Sequence, residues 1–201
     1  MSHHFLAMMN RMRYINRWSL MRNTQTENIQ EHTLQVVMIA HALLEIRQSY
    51  FSTGRQALDK AQVLLLALYH DAAEILTGDM PSPVKYANPE ISDAYKSVEI
   101  VAAEKLLSML PQELIPAYRP FLLPDLSDPQ TAEAMKLVKA ADRISAYIKC
   151  IEEEKAGNSE FRQAGQSVRE TLDTLTLEMP EITWFLEHFL PSFQLSLDEL
   201  S

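Results

Sequence analysis

The sequence carries one cysteine, Cys150, and only four glycines in 201 residues. A lone thiol rules out an internal disulfide framework and fits a reducing cytoplasm. With no Cys-x-x-Cys partner, Cys150 reads as a buried structural thiol rather than a nucleophile. The shortage of glycine, together with the lack of alternating β-branched runs, argues against strands and for helices. No run reaches the ~18 uninterrupted apolar residues of a membrane span, and the opening Met1-Ser2-His3-His4-Phe5 lacks the charged and apolar regions of an export signal. Basic residues are scarce too. With 18 Lys and Arg against 27 Asp and Glu, the net charge of -9 has the wrong sign for a protein whose main work is gripping a nucleic-acid backbone. A small anionic substrate stays compatible where local cations and a metal offset that field.

What is present is a soluble, all-α pattern. Hydrophobic residues make up 47% and charged residues 22%, with no repeat or composition shift, so residues 1–201 are expected to form one domain of about seven helices. Phe5, Met8, Met9, Met12 and Ile15 form a helical stripe. Asn28 with Glu31 is a capping-box start for a helix to about Gln48, carrying His32, Val36, Ile39 and Leu43 on one face. Asp59 with Gln62 starts a third helix, expected to run to a stop at Gly78. Three prolines in 79–89 should bar a regular helix there. A fourth helix is expected over about 92–110, after which Pro111, Pro116, Pro120 and Pro124 break the chain into turns. Asp128-Pro129 caps a fifth helix reaching about Lys155, with Met135, Val138, Asp142 and Ala146 on one stripe. The sixth and seventh helices should cover about 159–177 and 180–190, and Glu152-Glu153-Glu154 reads as a solvated face.

Chemistry gathers where the apolar run Val63-Leu64-Leu65-Leu66-Ala67-Leu68 leads into Tyr69-His70-Asp71-Ala72-Ala73-Glu74. An imidazole and a carboxylate behind a buried run cost several kcal/mol unless something pairs with them. A divalent cation is one such partner, since neutral His and ionised Asp both ligate it. Taken alone, a helix end whose His and Asp reach solvent or make caps is the better explanation of the pair. His32 and Asp142 are two more polar groups on apolar stripes. His41, nine residues after His32, points to the opposite side of its helix, so only one of the two can face the core.

The order His32, His70-Asp71, Asp142 on three long helices resembles the signature of the HD phosphohydrolase superfamily. Within it, Ile15-Asn16-Arg17-Trp18, Thr26-Glu27-Asn28 with Glu31-His32, Tyr69-His70-Asp71 with Glu74, Thr77-Gly78-Asp79, Pro83-Val84-Lys85-Tyr86 and the tail Leu190-Pro191-Ser192-Phe193 are similar to the bacterial 5'-deoxynucleotidases. The likeness spans nearly the whole chain. It implies an all-α HD-domain enzyme that hydrolyses 2'-deoxyribonucleoside 5'-monophosphates, broad for the base and selective against ribonucleotides.

It also implies that His32, His70, Asp71 and Asp142 hold one divalent metal. An open set of nitrogen and oxygen ligands favours Co²⁺ or Mn²⁺, with Mg²⁺, Fe²⁺ or Zn²⁺ also compatible. Glu74 resembles the catalytic carboxylate, and Arg17 the residue that orients the phosphate. Trp18 resembles the indole that disfavours a 2'-hydroxyl, and Asp79-Met80-Pro81-Ser82 the substrate loop, with Asp79 on the 3'-hydroxyl. Asp71 and Asp142 would meet the substrate as well. Ser82 and Ser19 depart from the family's Thr and Pro. The resemblance further implies a cytoplasmic homodimer, to which the apolar C-terminal helix could contribute. The alternatives are a deoxynucleoside triphosphate triphosphohydrolase, another HD-type phosphodiesterase, or a non-catalytic nucleotide-sensing helical domain.

Overall fold

The computed structural model describes residues 2–85 and 87–200; Tyr86, part of one resembling segment, lies outside them. Its helices are α1 (Phe5–Met9), α2 (Ile29–Tyr50), α3 (Lys60–Tyr69), α4 (Glu74–Thr77), α5 (Ser82–Lys85), α6 (Pro89–Leu107), α7 (Ile115–Leu122), α8 (Pro129–Lys155), α9 (Arg162–Thr176) and α10 (Pro180–His188). Among the described residues the extended pairing is limited to a single bridge, Asn16 with Asn28. None of these helices is long and apolar enough to cross a membrane.

The caps behave as the sequence requires. Asn28 Oδ1 accepts from the Gln30 and Glu31 N–H groups while Glu31 reaches back to the Asn28 N–H, closing the capping box of α2. Asp128 Oδ2 accepts from Thr131 N–H with Pro129 in the first turn of α8. Asp59 caps α3 through the Ala61 N–H, but Gln62 turns away and donates to Thr131 Oγ1.

Five expectations need correction. The first stripe starts as α1 and tightens into a 3₁₀ turn over Asn10–Tyr14. The third helix stops at Tyr69 instead of running to Gly78. His70 Nδ1 donates to the Ala67 carbonyl at 2.8 Å, diverting an acceptor that helix propagation needs, and three-residue turns carry the chain to α4. Gly78, at φ 75°, then ends α4 in a conformation that side chains resist. Prolines also prove compatible with helix where they fall in a first turn, because the missing N–H there has no partner to lose. So Pro83 sits in α5, Asn88-Pro89 starts α6 ahead of Ser92, and Pro116 opens α7, which even tolerates Pro120.

α2 and α8 are the central pair, with α3, α9 and α10 packed round them. Leu43, Leu44, Leu66, Leu137, Ile144, Ile148 and Leu172 are fully buried between them. A second cluster, centred on Phe5, Leu106 and Leu107, ties α1 to α6 and α7. The apolar face of α10 (Ile182, Phe185, Leu186) is spent inside the main core. At the end of the bundle away from His32, Arg47 pairs with buried Glu181 and, at 2.8 Å, with Glu133, while Arg55 also reaches Glu181 at 3.2 Å. Such a desolvated network is stable only while each charge keeps its partner.

Candidate active site

Three elements deliver the candidate ligands to one place. His32 lies in the first turns of α2, His70 and Asp71 follow the end of α3, and Asp142 sits midway along α8. His32 Nε2 lies 3.1 Å from Asp142 Oδ1 and 3.5 Å from Asp71 Oδ2; His70 Nε2 lies 3.0 Å from Asp71 Oδ2. The two imidazole centroids are 5.4 Å apart. His32, His70 and Asp142 each offer a ligand atom within 4.8 Å of the others. His41 is exposed and faces Glu45 at 3.4 Å, as its helical phase requires.

The far side of each ring fixes where its Nδ1 proton lies. Ser145 Oγ donates to Gln35 Oε1 at 2.5 Å, so its oxygen is left to accept from His32 Nδ1–H at 3.0 Å. The Ala67 carbonyl can only accept, so His70 Nδ1 also carries its proton outward. Both Nε2 atoms therefore face the carboxylates, where they could offer lone pairs to a cation. Both are buried and neither makes an aligned hydrogen bond among the described residues. Nitrogens held by outer partners and facing two carboxylates form a donor set that fits a divalent cation.

Without a cation, protons and charges fill the gap. Burial lowers the His70 pKa, but the Asp71 carboxylate outweighs it and raises it to about 9. Burial would likewise raise Asp71 and Asp142, yet His70 holds Asp71 below the usual carboxylate range and His32 does the same for Asp142, with Arg17 assisting at both. Glu74 goes the other way. Burial, then repulsion from Asp71 and Asp79, raises its pKa far above the usual range, and its Oε2 has no hydrogen-bond partner among the described residues. Two sets of carboxylates in one cleft are thus pushed in opposite directions.

Arg17 and Trp18 arrive from the 15–29 segment. Arg17 Nη1 is 3.4 Å from Asp71 Oδ2, and its Nε donates to Glu27 Oε2 at 3.1 Å. Trp18 packs on Phe161 with ring centroids 5.3 Å apart and adopts φ 58°, a left-handed conformation uncommon for a bulky residue. Asp79 follows α4; burial, with Asp71 adding to it, raises its carboxyl above the usual range, and Arg17 and the Trp18 backbone N–H offset this only in part. Met80 and Pro81 are partly buried and Ser82 is exposed at the start of α5.

Sequence reasoning missed several residues. Ser145 and Gln35 orient His32, and Ser145 stood one turn from Asp142 on the same face. Glu27 was legible only as part of a motif. Glu153 was misread: it is buried, not on a solvated face. It accepts from Thr24 N–H, Thr24 Oγ1, Gln25 N–H, Asn158 Nδ2 and Lys149 Nζ, while Lys149 also donates to the Gln25 carbonyl. The signal was the i,i+4 pair Lys149–Glu153 beside buried Ala146 and Cys150. Burial raises the Cys150 thiol to about 12, keeping it an inert core group.

The Glu153 carboxyl shows how this clamp depends on pH. Burial raises its pKa, but hydrogen bonds from Lys149, Thr24 and Asn158 dominate and leave it well below the usual range. A depressed folded value adds stability above the unfolded pKa of about 4.3 and loses it as pH falls further towards the folded value. Between about pH 5 and 3, wild type should therefore lose unfolding free energy more steeply than Glu153→Gln. Urea titrations at several pH values would check this, and parallel curves would refute the clamp.

The class is now defined: an all-α bundle placing His, His-Asp and Asp at one centre is an HD-domain phosphohydrolase fold. A solved HD-domain phosphohydrolase from Listeria innocua superposes with TM-score 0.79 at 23% identity, covering 94% of this chain and 88% of that one. A cyanophage S-2L HD phosphohydrolase, solved bound to dA and one catalytic Zn²⁺ ion, gives TM-score 0.63 at 20% identity, covering 92% and 96%. Proteins named 5'-deoxynucleotidase from Vibrio atlanticus and Vibrio cholerae are each 48% identical over 198 residues, spanning 98% of both chains. The family model described as 5'-deoxynucleotidase YfbR-like matches residues 4–193, and the chain belongs to that family.

Proposed function

We propose that this chain, as one domain, is a metal-dependent 5'-deoxynucleotidase that hydrolyses 2'-deoxyribonucleoside 5'-monophosphates to deoxynucleoside and phosphate. The observation that carries the reading is the pair of buried imidazoles facing Asp71 and Asp142, with Arg17 3.4 Å from Asp71 and Trp18 next to it in the chain. His32, His70, Asp71 and Asp142 would hold the cation. Bound there, it would supply charge neutralisation at the phosphoryl group and acidify a water. Two nitrogens and two carboxylates in an open site suit Co²⁺ or Mn²⁺, with Mg²⁺, Fe²⁺ and Zn²⁺ as other occupants to compare.

The remaining work falls to side chains. Arg17 receives the phosphate with the Nη end of its fork, since Nε is committed to Glu27. Glu74 sits out of contact with bulk water and exchanges a proton with, or orients, the attacking water. Trp18 presents an apolar face to C2', leaving an added hydroxyl without a partner. Asp79 accepts from the 3'-hydroxyl, with Met80, Pro81 and Ser82 completing the sugar loop. Broad tolerance of the base is part of the reading. A triphosphate would call for further cations, and Lys85 directs its charge to Glu99 at 2.8 Å.

The test is a phosphate-release screen over deoxy- and ribonucleoside mono- and triphosphates with added Co²⁺, Mn²⁺ or Mg²⁺. Deoxy monophosphates should react fastest, with ribonucleotides at least about tenfold slower. Equal turnover of a ribonucleotide and its deoxy counterpart sinks the role given to Trp18.

The reading includes a cytoplasmic homodimer, in keeping with the lone buried thiol and the resemblance. Because α10 buries its apolar face in the core, the better surface is an open groove of about 790 Å³ between α1, α2 and α3, rimmed by exposed Leu6 and Leu34. Sedimentation should give twice the chain mass, and Leu34→Glu should give the monomer. A wild type sedimenting as monomer rejects the dimer.

A further inference from the structure

Glu27 is tied to the Arg17-Trp18 dipeptide at three points. Its Oε2 accepts from Arg17 Nε and from Trp18 Nε1, both at 3.1 Å, and its carbonyl accepts from the Arg17 N–H at 2.9 Å. The side chain is largely buried, 14% exposed, so these bonds are only partly screened. The neighbouring backbone is fixed in the same place by the Asn16–Asn28 bridge and by Ile29 N–H donating to the Ile15 carbonyl.

One oxygen shared by two donors couples two substrate contacts. A guanidinium is planar, so occupying its Nε edge decides where the Nη end points. Here that end faces Asp71 at 3.4 Å. With Glu27 gone, Asp71 is the nearest remaining acceptor in contact with Arg17, and the fork is free to rotate fully onto it, away from a phosphate. The indole has one donor and needs one acceptor when partly buried. Its backbone is already in a left-handed conformation, held by Asn23 Nδ2 donating to the Trp18 carbonyl at 3.3 Å and by packing on Phe161. Such a conformation persists only where its surroundings fix it.

We infer that Glu27 is a positioning residue that sets phosphate orientation and selectivity at the sugar 2'-position together, through one carboxylate oxygen. This rests on the roles proposed above for Arg17 and Trp18. The decisive comparison is among Glu27→Ala, Glu27→Asp, which withdraws the oxygen by one methylene, and Glu27→Gln, which keeps an acceptor in place. Steady-state kinetics on a deoxynucleoside monophosphate and its ribo counterpart should be accompanied by metal content and by the Trp18 indole ¹H–¹⁵N resonance.

In the Ala and Asp variants KM should rise at least about tenfold and the deoxy-over-ribo ratio of kcat/KM should fall by a similar factor, as expected for losing hydrogen bonds to a charged group. Metal content should stay at the wild-type level. The Trp18 indole proton should move upfield, and Glu27→Gln should restore both the ratio and the resonance to within about threefold and near the wild-type position, respectively. An unchanged ratio in Glu27→Ala and Glu27→Asp overturns the inference, as does an unmoved indole proton. A wild type that releases no phosphate from any deoxynucleoside monophosphate overturns the substrate reading, and with it the selectivity half of this inference. The indole resonance judges the hold on Trp18 in either event.

Discussion

Asp71→Ala should yield a folded protein that no longer retains a divalent cation and releases phosphate on the order of 10³-fold more slowly. A single oxygen, Asp71 Oδ2, stands 3.0 Å from His70 Nε2, 3.5 Å from His32 Nε2 and 3.4 Å from Arg17 Nη1. Removing it deletes a proposed ligand and the anion that faces both imidazoles. Losing only an outer partner of a metal ligand costs 10–100-fold in affinity, so a lost ligand should cost more. A cation's stabilisation of phosphoryl charge is worth several kcal/mol, and each 1.36 kcal/mol is tenfold in rate. Folding should survive, because Arg17 keeps Glu27 and the main core lies elsewhere. Elemental analysis beside a thermal melt decides it. A variant holding as much metal as wild type removes Asp71 from the ligand set and the enzyme reading with it.

Glu74→Gln should behave in the opposite sense: metal retained, kcat down by about 10²–10⁴. Glutamine matches the protonated acid in shape but can neither accept nor release the proton. Stability should hold or rise, because wild type keeps a buried carboxyl whose Oε2 lacks a partner among the described residues and whose ionisation is opposed by burial, Asp71 and Asp79. A group that the fold accommodates at a cost, next to four candidate ligands, is poorly explained by packing. Full activity in a metal-loaded Glu74→Gln enzyme would remove Glu74 from the chemistry.

Helix starts were legible in the sequence wherever a short polar side chain could close a cap, as at Asn28 and Asp128, since capping is a local interaction. His32 and Asp142 were legible as polar interruptions of apolar stripes. Their partnership was legible only through the family resemblance, because nothing local brings residue 32 within 3.1 Å of residue 142. The stop of α3 at Tyr69 was hidden for a different reason: a side chain, His70, takes a backbone acceptor that helix propensity assigns to the main chain. Glu153 misled because three consecutive glutamates resemble a solvated run, while three of its five donors come from Thr24 and Gln25, far away in sequence. Glu27 was visible as a letter in a motif, but its work lies in a loop that doubles back on Arg17.

The two imidazoles are held from behind by different kinds of partner, and this bears on how the protein can drift over generations. His70 leans on the Ala67 carbonyl, which every amino acid at position 67 would present, so no single codon change there deletes the support. His32 leans on Ser145, which leans on Gln35, and either can be lost by one substitution. Heritable variation in metal affinity should therefore enter this enzyme through the α2–α8 side of the centre, with the His70 side as its fixed point.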